Sequence, residues 1–124
     1  MTWKKRRGKI KMSSLQDKIN MLEFHNHLLL KMIDGKKFPF YALIIQKGIT
    51  KKEMDDVFTL CEEVNQRFEM QQENGLVDEK PLLLHFVGML NPKLPVKETI
   101  IALYEQNYYP ALMAKLVDMI NKLE

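Results

Sequence analysis

Apolar residues recur at helical spacing from Leu15 to Leu123, and no segment makes a convincing strand. The first periodic run follows Ser13 and Ser14, either of them a good N-cap, and ends at Asp34-Gly35, where glycine accepts the left-handed conformation that closes a helix. Phe38-Pro39 then opens a short second helix through Tyr41, Leu43, Ile44 and Ile45 to Gly48. That helix is apolar nearly all round and is expected in the interior. Thr50 and Glu53 have the spacing of a capping box, with Ile49 and Met54 as its hydrophobic staple, so a third helix starts at Lys51. It carries Met54, Val57, Phe58, Cys61, Val64 and Phe68 inward and stops at Asn74-Gly75. Asp78 caps a fourth helix whose buried turns run from Leu82 to Leu90 before Asn91-Pro92. Pro95 starts a fifth, with Val96, Ile100, Leu103 and Tyr104, ending near Asn107. After the corner Tyr108-Tyr109-Pro110, a sixth places Leu112, Met113, Leu116, Val117, Ile120 and Leu123 on one side. The expectation is an all-α, compact bundle of six helices, with short connections making successive helices antiparallel neighbours.

The first helix has a finer pattern. Leu15, Ile19, Leu22, Asn26, Leu29 and Ile33 are spaced 4, 3, 4, 3, 4, a heptad seam with Leu at the d positions and Ile, Asn, Ile at the a positions. This is the chemistry of a parallel dimer, in which a buried Asn lowers stability and fixes register. Lys18 and Glu23 hold g and following e positions, the spacing of an interchain ion pair. The seam spans fewer than three heptads, and Met21, Phe24, Leu28 and Met32 form a second apolar stripe on another face. A helix apolar on two sides needs cover on two sides. One is expected to meet its own domain and the other a symmetry mate.

Charge changes the picture less than the total suggests. Of 19 basic residues, Lys4, Lys5, Arg6, Arg7, Lys9 and Lys11 lie in the first eleven positions. The other 13 face 16 acidic residues over 12–124, a net of −3, so the body repels phosphate. Residues 1–11 are a basic tail, and residues 12–124 one helical domain. A signal peptide is excluded because Lys11, Ser13, Ser14, Gln16, Asp17 and Lys18 stand where its apolar region belongs. Arg6-Arg7-Gly8 can be encoded as a purine-rich ribosome-binding site upstream of Met12, which makes an internal start at Met12 one expectation; a solvated basic arm is the other. The single cysteine offers no disulfide, and the longest apolar run, Phe40–Ile45, is far short of the roughly 20 residues of a membrane span. A cytoplasmic protein with no membrane contact is expected.

Three blocks carry a family likeness: Pro39-Phe40-Tyr41-Ala42-Leu43-Ile44, Lys47-Gly48-Ile49-Thr50-Lys51-Lys52-Glu53, and Glu98-Thr99-Ile100 with Ala102-Leu103-Tyr104-Glu105-Gln106. From about Ser13 to its C-terminus the chain resembles the YhaI-like proteins of Bacillus. The resemblance implies a small all-helical fold and a bacterial cytoplasmic setting, and it brings no catalytic residues with it.

Candidate chemistry is sparse. No Glu-x-x-His pair is present, His25 and His27 point to different sides of one helix, and His85 reads as a hydrogen-bonded structural histidine. Glu53 and Asp56 have half the acidic spacing of helical pyrophosphohydrolases without the companion Glu-x-x-Glu. Cys61 shares an apolar face and has no base beside it, and neither a phosphate loop nor a nucleophile elbow occurs. We therefore expect no catalytic residue, no cofactor and no metal. The segment 40–65 has the outline of a helix-turn-helix, which with the basic arm gives a DNA-binding regulator as the alternative. Against it, Lys51 and Lys52 are followed by Glu53, Asp55 and Asp56 where a recognition helix brings donors to base edges, so nucleic acid is not the expected partner. The reading that fits best is a homodimer or higher oligomer with an unknown protein partner. Met21, Met32, Met89, Met113 and Met119 could serve an adaptable groove, and Tyr104, Tyr108 and Tyr109 are a candidate partner surface, although closing the corner before Pro110 is the first role of those tyrosines.

Overall fold

The computed structural model describes residues 12–33, 36–75 and 78–123. Among them are six helices and no strand: α1 Met12–Met32, α2 Pro39–Gln46, α3 Lys51–Glu73, α4 Glu79–Met89, α5 Val96–Glu105 and α6 Pro110–Leu123. The all-α class is as expected. The chain divides into two compact units, Met1–Ile33 and Asp34–Glu124. The basic residues Lys4 to Lys11 and the Asp34-Gly35 helix end lie outside the described residues.

In the first unit, α1 is described over the 21 residues Met12–Met32, so Ser13 and Ser14, expected to cap it, lie within the helix. Lys31 sits in its last turn, where a cation meets the negative end of the helix, and Gln16 Nε2 donates to Asn20 Oδ1 one turn on at 2.9 Å.

The second unit is built on five helices around one core. Pro39 opens α2, and Gly48 closes it at φ 65°, with Ile49 N donating to Ile44 O (3.0 Å) and Gly48 N to Ile45 O (3.3 Å). This is a Schellman end, which needs the left-handed conformation that glycine adopts without strain. The capping box is present in both directions: Thr50 Oγ1 accepts from Glu53 N at 3.1 Å, and Glu53 Oε1 accepts from Thr50 N at 2.9 Å. Asp78 caps α4 by accepting from Lys80 N, and Pro95 precedes α5.

Phe40, Val64, Phe86, Ile100, Leu103, Leu112, Met113 and Leu116 are fully enclosed. α5 packs on α6, α2 on α5, α3 on α4, and α4 on α6. Phe40 meets Phe58 edge-on with ring centroids 5.5 Å apart, which brings α2 to α3 and closes the ring. The pairs α2–α5 and α4–α6 are not neighbours in sequence, so short connections decide only part of the packing. Three local expectations change. α4 buries Leu82, Leu83 and Phe86 but leaves Leu84, Val87 and Met89 exposed, so the turns from Leu82 to Leu90 are buried on one side only. α2 buries Phe40, Leu43 and Ile44 but leaves Tyr41 and Ile45 exposed, so it lines the bundle without being enclosed by it. Leu123 stands exposed past the last turn of α6 that touches the core.

Candidate functional site

The seam residues Leu15, Ile19, Leu22, Leu29 and Ile33 are between 39% and 60% exposed, and Asn26 is exposed among them. At 100° per residue they occupy one arc of α1, with Asn26 near its middle. Met21, Phe24, Leu28 and Met32, all exposed, occupy a second arc displaced by about 140°. Both stripes hold apolar surface that no residue of a lone helix can cover.

The tyrosines separate. α5 ends in a second Schellman arrangement, with Tyr108 N donating to Leu103 O (2.9 Å), Asn107 N to Tyr104 O (3.0 Å), and Asn107 at φ 66°. Tyr109 also takes a positive φ, 50°, and its hydroxyl donates to Glu62 Oε2 on α3 at 2.8 Å. Burial first, then this bond to a carboxylate, pushes the Tyr109 phenol up to about 12. Tyr108 Oη lies 2.6 Å from Tyr41 Oη, and its ring touches Phe40 and Phe58 at 6.0 and 4.9 Å. Tyr108 and Tyr109 therefore pin the α5–α6 corner to α2 and α3. Tyr104 is exposed in a different place, at a pocket of about 270 Å³ with Ala114, Val117, Asp118 and Asn121. Of the methionines, Met113 is enclosed, Met119 packs on the core, and Met21, Met32 and Met89 are exposed.

One residue gained a role that spacing did not announce. Gln106 Oε1 accepts from Phe40 N at 2.8 Å and Tyr41 N at 3.2 Å, so a side chain from the end of α5 caps the start of α2. The partners are 66 and 65 residues apart.

The carboxylate of Glu53 is similarly extended. Besides the capping box it accepts from Asn91 Nδ2 at 2.8 Å and from Lys93 Nζ at 3.1 Å. The Thr50 backbone N–H, then Asn91 and Lys93, hold its carboxyl down at about 2. Glu53 and Asp56 border a pocket of about 330 Å³ whose apolar wall includes Val57, Leu60 and Met89. Asp56 pairs with Lys52 at 3.5 Å, and Lys51 with Asp55 at 2.9 Å. The first turns of α3 thus balance their own lysines with carboxylates, which leaves little positive charge for a phosphate.

Cys61 is enclosed, and burial pushes its thiol up to about 12, far from a thiolate nucleophile at neutral pH. His85 differs from expectation: Nε2 is buried without a hydrogen bond, with Glu63 Oε2 3.9 Å away. No group of three or more His, Cys, Asp or Glu side chains could hold a metal ion among the described residues. None of the described helices is long and apolar enough to cross a membrane. A family model matches residues 12–121, leaving the basic stretch outside it. On that match the chain belongs to the family described as protein of unknown function, DUF1878.

Proposed function

We propose that the chain is a non-enzymatic cytoplasmic protein that pairs with itself through α1 and acts by contacts with another protein. The observation that carries this reading is the exposed seam: five apolar positions at 4-3 spacing around a single Asn. Exposed apolar surface of that regularity is a marker of association. The resemblance to YhaI-like proteins of Bacillus fits a small bacterial helical protein of this kind. The internal pairing of Lys51 and Lys52 with Asp55 and Asp56 argues against DNA as the partner. The buried Cys61 and the structural engagement of Glu53 argue against catalysis at the places where sequence offered it.

The test is sedimentation velocity on the wild type and on Leu22→Gln/Leu29→Gln. The wild type is expected to run as an oligomer at micromolar concentration. The variant is expected to run as a folded monomer, and an unchanged oligomer in a helical variant would refute the seam.

A further inference from the structure

We propose that the groove between α2 and α5 binds a basic amphipathic helix of another protein, its lysines or arginines on Glu98 and Glu105 and the apolar side chains between them on the groove floor. The proposal rests on the reading that the chain acts by contacts with another protein, and it does not use the α1 seam. Both helices belong to the second unit and pack on each other. α2 gives the groove Pro39, Ala42, Leu43 and Gln46. α5 gives it Glu98, Ile101, Ala102 and Glu105. Each set has the spacing i, i+3, i+4, i+7, a single stripe along its helix. The groove holds about 320 Å³, and the middle of its floor is apolar, with Ala42 and Ile101 half-buried and Leu43 and Ala102 buried. The two alanines keep that floor low enough for a third helix to come close.

Charge selects the occupant. Among the described residues, no basic side chain lines the groove. Elsewhere in the unit Asp55, Asp56 and Asp118 each pair with a lysine one turn away. The side chains of Glu98 and Glu105 are exposed and have no ion pair or hydrogen bond among the described residues. Glu98 stands in the first turn of α5, where the helix dipole favours a carboxylate. Glu105 stands in the last turn, at the negative end, and no basic residue of that turn offsets it. The neighbouring start of α2 gives little in return, because Gln106 already satisfies the Phe40 and Tyr41 N–H groups. A cation brought by a partner supplies what the fold does not.

Spacing sets the shape of that partner. Glu98 and Glu105 are seven residues apart on one helix, a rise of about 10.5 Å. A partner helix with cations at i and i+7 spans the same distance and lays its i+3 and i+4 side chains over the apolar floor. The floor then provides buried contact, and the two charges fix register.

The experiment uses the full chain and a fluorescein-labelled, alanine-based helical peptide with lysines at i and i+7 and leucines at i+3 and i+4, followed by fluorescence anisotropy. Saturable binding is expected, weakened roughly tenfold by Glu98→Gln/Glu105→Gln and weakened also by added salt. A control peptide with glutamates in place of the lysines should not bind. Ala42→Leu, which raises the floor and leaves the charges in place, should weaken binding as much, with circular dichroism unchanged in both variants. The thermal midpoint of Glu105→Gln should equal or exceed that of the wild type. Absence of binding, the outcome if a second copy or the chain itself fills the groove, overturns the proposal. Binding that either variant leaves unchanged overturns it too, as does a lowered midpoint in Glu105→Gln, which would give the carboxylate a role in the fold. Sedimentation of the same samples reads the α1 pairing separately: an oligomer that does not bind the peptide fails the groove alone, whereas a monomer that binds it fails the seam alone.

Discussion

Gln106 gives the sharpest test of how the second unit is held together. Its carbonyl oxygen is the acceptor for the N–H groups of Phe40 and Tyr41, and Phe40 is fully enclosed. In Gln106→Leu the side chain keeps its approximate volume and loses the acceptor. The Phe40 N–H is then left in a part-buried place without a partner, and leaving such a donor unpaired costs about 1–3 kcal/mol. Loss of the second, exposed bond adds about 0.5 kcal/mol or less. The expected total is about 2 kcal/mol, measured as a lowered urea midpoint with an unchanged m-value at one fixed protein concentration. Gln106→Glu keeps the oxygen and puts a negative charge at the start of α2, where the helix dipole favours it, so its loss should be below about 1 kcal/mol. A Gln106→Leu loss under about 0.5 kcal/mol, or equal losses for the two variants, would refute the cap.

Further outcomes follow from other contacts. Leu116→Ala removes a side chain enclosed among α6 and its neighbours and should cost about 2–5 kcal/mol in the same assay. Thr50→Ala breaks one arm of the capping box and should cost about 1 kcal/mol. Glu53 titrates at about 2 when folded against about 4.5 when unfolded, so its stabilisation is present above the unfolded value and is lost as pH falls toward 2. Acid unfolding of Glu53→Gln should accordingly show a shallower pH dependence across that window. Tyr109 has a raised folded value, so its contribution is present below pH 10 and is lost as pH rises toward 12. Absorbance titration at 295 nm should lose a late-ionising tyrosine in Tyr109→Phe. Asn26→Val should stabilise the assembly and broaden its stoichiometry, as removal of a polar a-position residue does in parallel coiled coils.

Local chemistry was the legible part of this molecule. Thr50 and Glu53 are three residues apart, so the capping box and the start of α3 could be read directly. Gly48 and Gly75 mark helix ends because each takes a positive φ. The second set of contacts on Glu53 was hidden, because Asn91 and Lys93 lie 38 and 40 residues away. Gln106 looked like an ordinary polar residue after α5 for the same reason: nothing in its neighbours points to α2. α2 and α4 expose a different limit. A helix apolar on all sides declares that it has something to bury, but periodicity cannot say which side stays open. Hence Ile45, Leu84 and Val87 emerged as exposed only once the packing was known. The stripe from Leu15 to Ile33 on α1 was legible as spacing, and its exposure is what the structure adds.

Native mass spectrometry of the full chain at low micromolar concentration tests self-association most directly. A mass of twice 14.7 kDa without attached nucleic acid is the expected result. A folded monomer at that concentration, or a complex carrying DNA or RNA, would contradict it.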